Sequence, residues 1–256
     1  MHRSKAFALR NIKELLRDPL SYIFCLCFPL VMLAVMTLVN SGIPEEAGMT
    51  VFRIDKLCGG ICIFGQTFIM LFTALSVSKD RAGSFLVRMY ASPMTSADFI
   101  AGYILPMLAV SAAQSVITCT ASYIISLFTG VELSPLGLVI SVIVLIPSSL
   151  FFIALGLIFG TLFNDKAAPG LCSIIISLGS FLGCVFYDAD SAGGVMLDIC
   201  KSLPFYYCTK TARSAAAFDL SAEGSLIPIL IVSLSAAAAT FISIITFRAR
   251  MKAELS

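Results

Sequence analysis

The sequence predicts an all-α membrane protein of six transmembrane helices, and two observations lead there. Hydrophobic residues make up 59% of the 256-residue chain and charged residues 12%, against about 45–50% and 25% in a soluble domain. With a mean hydropathy of +0.98, too few polar residues exist to give a soluble domain of this size its surface. The second observation is segmentation. The apolar residues fall into six charge-free runs, each long enough to cross a hydrocarbon core of about 30 Å, which takes about 20 residues.

Residues 1–19 precede the first run. Ala6, Leu9, Ile12 and Leu16, and less regularly Phe7 and Leu15, recur on one side of a helix, and Arg10, Lys13, Glu14 and Arg17 on the other, before Pro19. That pattern predicts a basic amphipathic helix lying in the membrane interface, with Arg10, Lys13 and Arg17 toward the headgroups. A cleaved signal peptide is not expected, because the following apolar run is longer than about 15 residues and no small-x-small site follows it. The spans are then expected at residues 20–39, 57–78, 99–128, 133–163, 167–187 and 226–247. Pro106 and Pro147 read as kinks, since neighbouring helices can meet the carbonyls that proline frees. Gly156-x-x-x-Gly160 and Gly179-x-x-x-Gly183 have the spacing for close helix contact, and packing within the chain is expected ahead of a dimer face.

Lysine and arginine set the orientation. With the N-terminus inside, twelve of the 17 basic residues (Arg3, Lys5, Arg10, Lys13, Arg17, Lys79, Arg81, Arg88, Lys166, Arg248, Arg250 and Lys252) face the cytoplasm and five face out. Both termini are therefore expected to be cytoplasmic.

Two stretches between spans stand out. Residues 79–98 mix Lys79, Asp80, Arg81 and Arg88 with Phe85, Leu86 and Met89 and break at Pro93. This stretch is too long for a tight turn and too apolar for a solvated linker, so it predicts either an interfacial helix able to dock a cytoplasmic partner or a lipid-lying loop with no partner. Residues 188–225 hold two semi-apolar pieces divided by Pro204, each too short to cross, which predicts a broken re-entrant hairpin before the last span. Cys200 and Cys208 lie there, the pair able to form an external disulfide, and they are expected to act without one. Cys58 and Cys62 stand one helical turn apart, but two thiols with His2 far away make an incomplete metal site.

Catalytic chemistry is missing from the pattern. The chain has no G-x-x-x-x-G-K-[ST] phosphate loop, no metalloprotease or nucleophile-elbow motif, and one histidine. No charged residue lies deep in a span, which argues against proton relays and intramembrane catalysis. The acidic group Asp188, Asp190 and Asp198 lacks a basic or histidine partner in sequence. Neither an enzyme, a cofactor, a metal nor a nucleic-acid partner is expected for this chain.

The whole chain resembles the ABC-2 type permeases, the membrane subunits of ABC exporters of the daunorubicin-resistance and polysaccharide-export kinds. Gly83, Ser84, Phe85 and Leu86, then Arg88, then Ala91, Ser92, Pro93 and Met94, through Asp98 to Gly102 and Tyr103, resemble that family's signature at its coupling helix. Pro204, Phe205, Tyr206 and Tyr207 followed by Arg213 are similar to its hairpin stretch. Two departures are Arg81, where an acidic residue is usual (Asp80 stands beside it), and Ser84 in place of threonine.

The resemblance implies a single 1–256 transmembrane domain in the cell membrane, paired with a second permease protomer, identical or sister, and with a separate ABC ATPase that holds ATP and magnesium. It implies that Asp80, Arg81, Gly83, Ser84, Phe85, Arg88, Ser92, Pro93 and Met94 couple to that ATPase, and that Pro204, Tyr206 and Arg213 belong to the hairpin. Gln66, Gln114 and scattered hydroxyls in an apolar lining suit lipophilic or amphipathic cargo: a drug, an antimicrobial peptide or a lipid-linked glycan. The alternatives are a membrane-embedded lipid-modifying enzyme and a non-transporting immunity or assembly subunit bound to an ATPase.

Overall fold

A computed structural model of the protein describes residues 2–19, 23–44, 50–83, 85–86, 94–188, 193–219 and 221–255. Those residues are helical and contain no strand. In order they form α1 (His2–Leu15), a π-helical turn (Ile23–Cys27) leading into α2 (Phe28–Ser41), α3 (Ile54–Ala82), α4 (Ser96–Thr129), α5 (Pro135–Val144) and α6 (Ile146–Leu162). Then come α7 (Ala168–Leu182), α8 (Gly194–Lys201), α9 (Pro204–Ala216), a second π-helical turn (Ala222–Leu226) and α10 (Ile227–Leu255).

Five apolar stretches, Ile23–Gly42, Ile54–Ala82, Ser96–Thr129, Pro135–Leu162 and Gly224–Ala253, are long and apolar enough to cross a membrane. The run expected at residues 167–187 is shorter than its hydropathy implied. α7 has 15 residues, about 22 Å of rise, and it stops at Gly183, followed by Cys184 at φ 58°.

α3 is the hub, with 83% of its apolar window buried against 17% for α2 and 22% for the last helix. It packs along α6, α4, α7, α9 and α2. The close approach to α6 is made by the small-residue pair. A side-chain carbon on Gly160 would lie 2.5 Å from the Ala74 carbonyl oxygen, and one on Gly156 would overlap the Met70 carbonyl. The G-x-x-x-G pattern therefore joins helices of one chain.

Pro106 sits inside α4, which continues unbroken. Pro147 does more than kink its span: the helix stops at Leu145 and restarts as α6 with proline in the first turn, the position proline tolerates. Neighbours meet the Leu145 carbonyl at the break. Ser148 Oγ donates to it at 2.8 Å, Ser149 Oγ at 2.9 Å and Gln66 Nε2 at 3.4 Å. Gln66 Nε2 also donates to Ser149 Oγ at 2.9 Å, which is 2.7 Å from Ser111 Oγ, so three helices share one buried polar cluster. Gln66 and Gln114 are 0% and 1% exposed. They lie inside the protomer's core, and not in an open lining.

Candidate functional site at the loop-bearing end

The end of the bundle that carries α1 joins its elements through an arginine–carboxylate fork. α1 is helical as expected, but its buried face is Phe7, Ala8 and Asn11, while Leu9, Ile12 and Leu16 are exposed. Phe7, Asn11 and Leu15 recur every fourth residue and so share one face. The Phe7 ring packs edge-on against Phe99 and Tyr103, at centroid distances of 5.5 and 5.1 Å. Asn11 Nδ2 donates to the Gly102 carbonyl at 3.0 Å. Lys13 and Arg17 are exposed; Arg10 is turned inward.

Arg10 forms a fork on Asp80, with Nη1 donating to Oδ2 at 2.8 Å and Nη2 to Oδ1 at 2.9 Å. Tyr103 adds its hydroxyl proton to Asp80 Oδ2 at 2.7 Å, and Glu14 Oε1 accepts from Arg10 Nη2 at 2.5 Å. The guanidinium carbon sits 3.8 Å above the Phe85 ring, the geometry of a cation–π contact. Burial works against the charge on Arg10, yet the hydrogen bonds and charges of Asp80 and Glu14 raise its pKa above the ordinary arginine value. One arginine thus ties α1 to the last turn of α3, to α4 through Tyr103, and to the 79–98 segment through Phe85.

Arg81 turns the opposite way. Its Nη1 donates to the carbonyls of Gly160 at 3.1 Å and Phe163 at 3.2 Å, at the C-terminus of α6. Carbonyls there lack helical partners and the helix dipole is negative. Asp80 and Arg81 therefore engage groups of the chain itself.

Gly83 closes α3, its N–H donating to the Lys79 carbonyl at 2.9 Å. Leu86 is fully buried and Met94 packs partly buried against the core. Ser84, Arg88, Ser92 and Pro93 lie outside the described residues. A cavity of about 550 Å³ opens between α1 and the ends of α3 and α4, lined among others by Arg10, Arg17, Lys79, Asp80, Phe85 and Tyr103.

At the far end, α8 and α9 form the two expected pieces, and Pro204 occupies the first turn of α9. Tyr206 is buried and packs edge-on against Tyr207. Arg213 donates through Nε to the Lys56 carbonyl at 3.2 Å and through Nη2 to the Val185 carbonyl at 3.0 Å. A side-chain carbon on Gly59 would sit 2.7 Å from backbone atoms of Ala212 and Arg213, so α9 lies directly on α3. Asp188 pairs with Lys56 at 3.8 Å. Cys200 and Cys208 are free, buried thiols, and Cys200 Sγ lies 3.0 Å from the Tyr187 hydroxyl.

The partners of Asn11 and Tyr103 arise only across the fold. Thr95-x-x-Asp98 is readable locally as a capping box, and it opens α4: Thr95 Oγ1 accepts from Asp98 N–H at 3.3 Å while Asp98 Oδ2 accepts from Thr95 N–H at 3.0 Å.

Several long apolar helices packed around a buried hub define a multi-pass membrane protein. The chain belongs to the ABC-2 type transporter family, whose model matches residues 3–216. That match takes in the Arg10–Asp80 clamp and the helices α8 and α9. No curated protein matches the chain.

Proposed function

We propose that this chain is the permease subunit of an ATP-driven exporter in the cell membrane, with both termini and the 79–98 segment on the cytoplasmic side. The family membership carries this reading, and the clamp supports it. The helix preceding the first span and the segment between the next two are tied to one another by Arg10, Asp80 and Phe85, so a push on either is delivered to the ends of α3 and α4.

A separate ABC ATPase, holding ATP and magnesium, docks on the segment. Because Asp80 and Arg81 serve the chain's own fold, Arg88, Ser92 and Pro93 are the residues assigned to the partner, while Phe85 and Met94 anchor the segment. A second permease protomer, identical or sister, completes the route. The exposed apolar sides of α2 and α10, with Val31, Val35, Leu230 and Leu234, suit lipid, that protomer and a lipophilic or amphipathic cargo. The α7 stretch crosses with its following turn as the fifth of six spans, and α8–α9 dips into the outer leaflet.

The test is co-expression with a candidate ABC ATPase subunit, followed by reconstitution in proteoliposomes. The expected result is a stable complex that moves a fluorescent lipophilic cation in an ATP-dependent way. An isolated exposed ion pair is worth only about 0–1 kcal/mol, so two charges are reversed together. Arg81→Glu with Arg88→Glu is expected to insert and to lose transport and cargo-stimulated ATPase activity, while the basal ATPase activity remains. A permease that retains no ATPase and supports no ATP-dependent flux would contradict the reading.

A further inference from the structure

α3 and α4 bring three thiols together away from both charged ends. Cys58 and Cys62 stand on successive turns of one α3 face, as residues four apart do, and Cys119 faces them from α4. The three sulfurs lie within 4.8 Å of one another, and Cys58 Sγ is 4.0 Å from Cys119 Sγ. All three residues are buried, at 0%, 1% and 5% exposure. Cysteine packed as a small apolar residue accounts for each one singly, but it gives no reason for three sulfurs to converge from two helices.

Two further features point to a ligand. Ser122, one turn from Cys119 on α4, has a fully buried hydroxyl directed at the Cys58 thiol. A hydroxyl placed there can donate to a thiolate sulfur, the supporting interaction that bound thiolates use. There is also a way in. Cys119 lines an apolar groove of about 380 Å³ between α4 and α5, with Val116, Tyr123, Leu138 and Val142.

The donor set selects the ion. Hard cations require oxygen ligands, and the cluster contributes sulfur alone. Structural zinc takes four ligands in a tetrahedron, whereas three converge here. Three sulfurs bound about 2.3 Å from one ion in a plane stand about 4.0 Å apart, the separation of Cys58 and Cys119. Soft thiolates in a dry site favour monovalent copper.

We propose that Cys58, Cys62 and Cys119 form an all-sulfur binding site for a soft monovalent metal ion of the copper(I) type, which staples α3 to α4. Each metal–sulfur bond replaces an S–H bond, the proton passes to water, and no electron is transferred. The site does not depend on the export reading.

The test uses the full chain, reduced and anaerobic in detergent, titrated with copper(I) against a chromophoric chelator. A variant with the other six cysteines changed to serine is expected to keep one copper per chain. X-ray absorption on it is expected to report three sulfurs at about 2.3 Å. Adding Cys119→Ser to that variant is expected to weaken binding by more than about tenfold. Failure of the six-serine variant to retain copper, or a shell of fewer than three sulfurs, would overturn the proposal, and this arm does not depend on how the Cys119 variant folds. Equal affinity in a folded Cys119→Ser variant would overturn it as well.

Discussion

The two ends of the bundle hold their accessory helices by different chemistry. At the loop-bearing end Arg10 meets a carboxylate, Asp80, that is itself held by Tyr103. At the far end Arg213 meets main-chain carbonyls of Lys56 and Val185, and the α9 backbone lies on Gly59. A side-chain partner can be removed by one substitution, which leaves the other charge without its match. A carbonyl partner cannot be removed that way, so the far end is sensitive to volume before charge. The first arrangement suits a joint that transmits movement, because ion pairs can re-form in a new geometry. The second suits a fixed seat.

Three substitutions grade that contrast. Gly59→Val sets a Cβ and its two methyl groups against backbone that cannot retreat like a flexible side chain. It is expected to cost about 3 kcal/mol or more, the upper end of overpacking, read as a large fall in the midpoint of thermal inactivation in detergent. An unchanged midpoint would break the claim of a sterically fixed far end.

Tyr103→Phe removes one hydrogen bond to Asp80 and keeps the ring against Phe7. A loss of about 1.5–3 kcal/mol is expected, as for hydrogen bonds to charged groups, with faster protease cleavage on the C-terminal side of α1. A loss confined to the far end, with α1 still protected, would undo the assignment of Tyr103 to the clamp. Glu14→Gln breaks an i,i+4 contact at a largely exposed carboxylate, with 54% of its side chain accessible. At most about 0.5 kcal/mol is expected, within the error of the same melt; a loss as large as that of Tyr103→Phe would place Glu14 in the clamp itself.

What the sequence could and could not convey follows from the range of the interactions. The helical, apolar character of the chain was legible because lipid demands unbroken apolar length, and the small-residue pair Gly156 and Gly160 was legible because close approach needs a fixed spacing. Pro204 was also legible, as the divider of the α8–α9 hairpin. The working face of α1 was not. Leu9, Ile12 and Leu16 carry more hydropathy than Phe7, Ala8 and Asn11, and only the position of α4 decides which set is covered. The same holds for Arg10 and Asp80, 70 residues apart, and for Cys119, 61 residues from Cys58. The shortness of α7 escaped hydropathy because Gly183 and Cys184 are apolar enough to extend the run while ending the helix.

The account rests on Arg10 and Asp80 acting as one unit that fixes α1 to the loop-bearing end. A double-mutant cycle measures that directly, with Arg10→Gln, Asp80→Asn and both together compared by reversible denaturation in detergent. Each single change is expected to leave the other group with an inferior partner, so the double variant should lose less than the sum of the two. A coupling of about 1–2 kcal/mol is expected, within the usual range for contacting residues and discounted for the partly exposed arginine. Losses that add to within about 0.3 kcal/mol, as for independent sites, would show that the pair does not hold α1 and would contradict the account.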